Sequence, residues 1–190
     1  MSDEEFYVHP TALVASKDIG RATRIWAFCN VGQTARIGAE CNICDHCYIE
    51  DNVVIGNRVT IKNAVALFDG VVVEDDVFIG PNAVFTNDVR PRSRVRKESF
   101  DRTLIKRGAT IGANAVIVAG NTIGRYAFIG AGAVITKDVP DFTMWYGNPA
   151  RFSSYICRCT RTLDAADSSS PITCDCGLRF KFQDGQLSEQ

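Results

Sequence analysis

The sequence predicts an all-β fold in which short strands stack in parallel into a coil, and three observations predict it. The first is a six-residue period. Ile19, Ile25, Val31, Ile37, Ile43, Ile49, Ile55, Ile61, Leu67, Val73, Ile79 and Phe85 fill twelve consecutive positions of one phase, and all are apolar. In a chain that is 46% hydrophobic, chance gives this about once in ten thousand, so repetition governs the reading. The second is the position two residues earlier, which is small or β-branched at Thr23, Cys29, Ala35, Cys41, Cys47, Val53, Val59, Val65, Val71, Val77 and Ala83. The third is glycine just after the ladder, at Gly20, Gly32, Gly38, Gly56 and Gly80, where a corner is expected to need a permissive backbone.

A period of six suits neither a helix nor a simple hairpin. The Val-Val-Ile, Val-Thr-Ile and Val-Phe-Ile runs read as strands with alternate residues inward, and Gly, Asp and Asn supply the turns. Parallel stacking then buries a continuous aliphatic ladder. This pattern resembles the hexapeptide repeat of left-handed parallel β-helices, with three hexads per triangular coil. The left hand, implied by that resemblance alone, departs from the right-handed crossover rule.

At 190 residues the chain suits one domain with an appendage, the coil over 7–152 and a tail over 153–190. A net charge of −1 offers no electrostatic footprint for nucleic acid. Met1 to Phe6 is acidic and no long apolar run follows, so neither a signal peptide nor a membrane span is expected. A cytoplasmic protein is the expectation, and its eight cysteines read as thiols or metal ligands rather than disulfides.

In chain order, His9 beside Pro10 reads as a local capping or packing histidine, against the alternative of a catalytic one. Cys41, Cys44 and Cys47 look like a metal site, but the repeat phase sends Cys41 and Cys47 inward as small apolar groups and Cys44 to a corner. His46 falls at an outward turn, where it either lines a site or is plain surface. The repeat then breaks, because its in-phase positions become Pro91, Lys97 and Thr103. The segment 87–104 carries Arg90, Arg92, Arg94, Arg96, Lys97 and Arg102, and reads as a basic loop thrown out of the coil. Its charge suits a pyrophosphate or an acidic sugar, against the bland alternative of a solvated run. The period resumes at Ile105, Ile111, Ile117, Ile123, Ile129 and Ile135, with Asn121 as a polar inward residue that needs a partner, such as an amide ladder. In the tail, Cys157-x-Cys159 and Cys174-x-Cys176 flank a polar linker, Asp164 to Pro171. Four thiolates in two pairs suit a closed, zinc-ribbon-like tetrahedral zinc site, with free thiols as the alternative.

A narrower resemblance rests on Cys41 to Glu50, Glu74 to Asp88, Pro91-Arg92-Ser93, Gly108 to Ala115 and Gly147-Asn148-Pro149-Ala150-Arg151. Together they resemble the nucleotide-sugar 3-N-acetyltransferases of this fold, over roughly residues 7 to 152. The resemblance implies acetyl-CoA as cosubstrate, a UDP- or dTDP-linked 3-amino sugar as acceptor, and homotrimers with sites between subunits. Such enzymes serve bacterial surface glycans, O-antigen among them. It also implies that Asn87, in Phe-Thr-Asn, contacts the acceptor amine. Asp88, Arg92 and Ser93 are then expected to bind substrate. Asn114, Gly130, Ala131, Ala133, Lys137 and Arg151 are expected to meet the coenzyme.

The proton lost by the amine needs an acceptor, and a carboxylate, a histidine such as His46 or the departing thiolate can serve. Stacking arithmetic adds Asp69. If residues eighteen apart lie above one another, Asp51, Asp69 and Asn87 form one column, in which a carboxylate beside the amide holds the ammonium. The bland alternative has these aspartates capping turns. A γ-type carbonic anhydrase shares the fold but needs three zinc-binding histidines, and this chain has two. An O-acetyltransferase using His46 and a non-catalytic scaffold are the remaining alternatives.

Overall fold

The computed structural model describes residues 5–95, 97–164, 171–183 and 185–190. The hexads become two-residue strands, and each pairs in parallel with the strand three hexads on: Ile25 with Ile43, Ile61 with Ile43, and Ile79 with Ile61. Three faces result. Among the described residues the first has ten strands, the second seven and the third six. This is a β-solenoid of stacked parallel coils, consistent with a left-handed β-helix, and the described residues contain no helix.

The ladder fills the axis. Ile25, Ile43, Ile61, Ile79, Ile111 and Ile129 of the first face are buried, as are Ile49, Leu67, Phe85 and Ile117 of the second. Cys29, Cys41 and Cys47 lie inward with them, and burial pushes the Cys41 thiol up from its ordinary pKa. Cys44, at a corner, is also largely buried, and the three do not converge on a common ion.

The corner glycines act differently from the expectation. None of Gly20, Gly32, Gly38, Gly56 and Gly80 has a positive φ. A Cβ on Gly20 would meet the Ala39 nitrogen at 2.4 Å, and one on Gly38 would meet the Gly56 carbonyl carbon at 2.5 Å. They permit close approach of the next coil. The left-handed positions fall on other residues, among them Phe28, His46, Ala64, Asn82 and Asn114 of the first corner. Each costs roughly 1–2 kcal/mol of backbone strain, offset by bonds between coils such as His46 N to Ala27 O at 3.0 Å.

Two further expectations change. Thr103 is buried and pairs with Val71, so the strand Thr103–Ile105 reclaims the last two residues of the loop expected over 87–104. Its hydroxyl caps the Gly120 nitrogen at 3.2 Å, which makes threonine an acceptable inward residue. Asn121 bonds no amide ladder; its Nδ2 donates to the Val118 carbonyl at 2.7 Å. His9 does cap locally, its Nδ1 accepting from the Thr11 nitrogen at 3.3 Å.

The coil ends where strand Thr143–Gly147 turns back as Ala150–Ile156, a strand that crosses the 152/153 boundary. Phe142, Cys157, Leu163, Ile172, Cys174, Phe180 and Leu187 form a second, smaller core. Phe142 stacks on Tyr126 at 5.4 Å and meets Phe180 edge-on at 5.2 Å, which seats the tail on the last coil. Arg96 and most of the linker expected between the cysteine pairs lie outside the described residues.

Candidate active site

Where the second face turns into the third, strands Tyr48–Ile49, Ala66–Leu67 and Val84–Phe85 end in register. Two residues beyond each core residue come Asp51, Asp69 and Asn87, at matching positions of successive coils. The column is not uniform. Asp51 is a turn cap: its Oδ1 accepts from the Thr34 nitrogen at 2.8 Å and the Thr34 hydroxyl at 3.1 Å. The Thr34 backbone N–H holds its carboxyl below the ordinary carboxylate range. Asp69 is placed by its own N–H, which donates to Glu50 Oε2 at 2.8 Å. Its Oδ2 accepts a long bond of 3.4 Å from Asn52 Nδ2. The turn-capping account therefore fits Asp51 and leaves the Asp69 carboxylate lightly engaged.

Asn87 is half-buried. The preceding Thr86 ties its strand to the next coil, its hydroxyl accepting from the Ala119 nitrogen at 2.9 Å. The basic loop leaves the coil immediately after. Asp88 accepts from the Arg90 nitrogen at 2.7 Å and pairs with Lys97 Nζ. That Lys97 contact lowers its carboxyl pKa. The Asp88 carboxylate thus closes the loop's base, a role the sequence did not suggest and for which an acid nine residues before a lysine in a basic run is the available signal. Arg92 and Ser93 are exposed further out, with the Arg92 carbonyl accepting from the Val95 nitrogen at 3.0 Å.

His46 stands elsewhere. It lies at the corner between the first and second faces, exposed, its ring stacked on Phe28 at 5.0 Å. That corner is five residues before the second-corner column, roughly 16 Å along an extended chain. Asn87 is also two coils further along the axis, so a single chain does not bring His46 and Asn87 together.

The residues expected to meet the coenzyme divide in the same way. Asn114, Gly130, Ala131 and Ala133 share the first corner with His46, while Lys137 follows the second face. Ala133 is fully buried, so only its main chain is available. The Gly130 nitrogen donates to the Trp145 carbonyl at 2.8 Å, and the Ala133 nitrogen to the Gly130 carbonyl at 3.2 Å. What this corner offers outward is the exposed Asn114 side chain and second lone pairs of the carbonyls. Lys137 Nζ sits over the Trp145 ring at 5.2 Å, and Arg151 Nη1 donates to the Ala150 carbonyl at 3.0 Å.

The tail brings its four cysteines together. Their sulfurs lie within 4.8 Å of one another, with Cys157 to Cys176 and Cys159 to Cys174 both at 3.6 Å. A tetrahedral zinc with bonds of about 2.3 Å spaces its sulfurs about 3.8 Å apart. Each pair sits on the same kind of turn: Cys157 N donates to Arg161 O, and Cys174 N to Leu178 O, both at 2.8 Å. The Arg161 backbone N–H brings the Cys159 thiol down to about 7, toward the thiolate a metal needs. Among the described residues this is the one such cluster.

The bacterial transferase hexapeptide pattern (six repeats) matches residues 28–63 and 102–137. The chain is 56% identical over 188 residues, 99% of its length and 97% of the relative's, to the dTDP-3-amino-3,6-dideoxy-α-D-galactopyranose 3-N-acetyltransferase of Aneurinibacillus thermoaerophilus. It resembles a hexapeptide-repeat-containing acetyltransferase of Vibrio cholerae O1 biovar eltor, solved with acetyl coenzyme A, with 29% identity, TM-score 0.51 and coverage of 66% of this chain and 69% of that one. A variant of an N-acyltransferase of Bacillus cereus, solved with dTDP and coenzyme A, matches in fold at 18% identity and TM-score 0.54, over 79% of this chain and 83% of that one.

Proposed function

This chain belongs to the hexapeptide-repeat acetyltransferases, and we propose that it transfers the acetyl group of acetyl-CoA to the 3-amino group of a dTDP-linked 3-amino-3,6-dideoxyhexose. The observation that carries this reading is the full-length identity to an enzyme named for that reaction. The second-corner column beside a basic loop supplies a chemical rationale for it.

The sugar amine arrives largely as an ammonium. The Asp69 carboxylate holds it at the column and passes one of its protons to solvent, and the Asn87 amide oxygen accepts one N–H of the neutral amine and aims the freed lone pair at the thioester carbonyl. Attack forms the C–N bond, and collapse of the tetrahedral oxyanion breaks the C–S bond. The amide product forms, the thiolate leaves, and the proton shed by the nitrogen ends on coenzyme A as its thiol. Arg92, with Ser93 beside it, is suited to the nucleotide's phosphates.

The active unit in this reading is a homotrimer. The outward row of the second face is largely apolar, with Leu13, Tyr48 and Val84 exposed around Asn30, and Phe28 joins it at the first corner. A second copy covering that face sets one subunit's first corner, with Asn114 and Gly130 to Ala133, near another's Asn87 column. The tail holds one structural zinc on Cys157, Cys159, Cys174 and Cys176. Among the described residues no helix is long and apolar enough to cross a membrane, and the reading places the enzyme in the cytoplasm, serving surface-glycan assembly such as O-antigen.

The test is an acetyl-transfer assay against UDP- and dTDP-linked 3-amino sugars and their 3-hydroxy analogues. Transfer to a dTDP-linked amine, with one thiol released per acetyl group, is expected. Transfer to the hydroxyl analogue alone would instead favour O-acetylation.

A further inference from the structure

Directly after the core residue of the second face, four successive coils carry Gly32, Glu50, Phe68 and Thr86. Glu50 and Thr86 do the same work there. Glu50 Oε2 accepts from the Asp69 nitrogen at 2.8 Å, and Thr86 Oγ1 from the Ala119 nitrogen at 2.9 Å, so each ties down the corner of the next coil. Glu74 repeats the bond at the third corner, accepting from the Arg107 nitrogen at 2.8 Å. Phe68 occupies this capping slot one coil before Asn87, and a phenyl ring offers the Asn87 nitrogen no acceptor.

Packing of the coil does not account for the ring. Phe68 is half-buried and stands outside the coil's buried core. It leans on Tyr48, one coil back, with ring centroids 5.9 Å apart and planes tilted by 53°. The register partner of Tyr48 is Ala66, whose small side chain leaves room for the two rings to meet. The coil thus gives up a corner cap and sets an aromatic surface next to Asp69 and one coil from Asn87.

We infer that Phe68, braced by Tyr48, is a specificity-determining residue that receives the edge of the acceptor sugar carrying the 6-methyl group. The inference rests on the proposed transfer to a 3-amino-3,6-dideoxyhexose and deepens it. The amine leaves C3 and the methyl leaves C5, the two carbons that flank C4. An amine held at Asp69 and Asn87 therefore turns the methyl onto a neighbouring surface. An aromatic ring takes up a methyl group favourably, whereas it strips water from a 6-hydroxyl and offers no partner in return.

The test compares kcat/KM for a dTDP-linked 3-amino-3,6-dideoxyhexose and for its 6-hydroxy counterpart, with assembly checked by light scattering. The wild type should prefer the 6-deoxy acceptor about tenfold or more, the scale of one added hydroxyl in an apolar pocket. Phe68→Thr supplies a capping hydroxyl of the Thr86 kind, which keeps the corner tied, and should bring the preference to within about twofold of unity. Phe68→Ala, which adds no cap, should do the same, and Phe68→Leu, still apolar, should retain most of the preference. No preference in the wild type, a preference that survives both Phe68→Thr and Phe68→Ala, or its disappearance in a correctly assembled Phe68→Leu overturns the inference. The underlying reading fails separately, if the wild type acetylates neither acceptor nor any other dTDP-linked amine.

Discussion

The coil and the tail are both all-β, yet they hold together by different means. Among the described residues the coil buries one continuous core of 34, a ladder in which each coil supports the next. Among the described residues the tail's core has seven buried ones, two of them cysteines. A unit under about 40 residues rarely stands on so little apolar surface and needs a staple. The coil's order is thus a property of its period, and the tail's is a property of the four sulfurs and of the Phe142–Phe180 contact.

The sharpest break of that comparison is to take away the sulfurs. The double variant Cys174→Ser, Cys176→Ser should lose about one zinc per chain by elemental analysis and unfold the tail, because metal affinity is folding free energy in such modules. The coil and its assembly should persist, with the main thermal transition retained. Metal kept by that variant, and lost on changing Cys41 or Cys44 instead, would reverse the assignment.

A much smaller effect sharpens the coil side. At the third corner Arg58 donates to both oxygens of Asp76, at 2.6 and 3.1 Å, and Arg107 Nε donates to Oδ2 at 3.0 Å. The Arg58 hydrogen bond, first among the causes, holds the Asp76 carboxyl below the usual range. A carboxyl depressed on folding contributes stability above its unfolded pKa of about 4, and the contribution disappears as pH falls through the lower folded value. The corner is part-exposed, so Asp76→Asn should cost under about 1 kcal/mol at pH 7. The variant's deficit should shrink in acid melts below about pH 4. A loss of several kcal/mol would mean that the coil leans on its polar corners rather than its ladder.

The same contrast explains what was legible in the sequence. A period of six is a statement about packing, so the ladder and the coil length of eighteen followed from arithmetic. The glycines misled because absence of Cβ permits two things, a positive φ or a close neighbour, and only the stacked coil shows that Gly20 and Gly38 serve the second. Thr103 was misread because a buried hydroxyl is tolerable only once Gly120 stands opposite it. The division of His46 from Asn87 was readable in principle, since the two are two coils of eighteen plus five residues apart, and positions five out of phase cannot share a corner.

The most direct test of the account compares two aspartates one coil apart. Turnover of dTDP-linked 3-amino sugar should be measured across pH for Asp69→Asn and Asp51→Asn, with assembly checked by light scattering. The account expects Asp69→Asn to lower turnover about ten- to a hundredfold, as loss of a positioned acid–base group does, while Asp51→Asn, its carboxylate already spent on Thr34, stays within about twofold. Near-normal turnover by a correctly assembled Asp69→Asn throughout the pH range would contradict it.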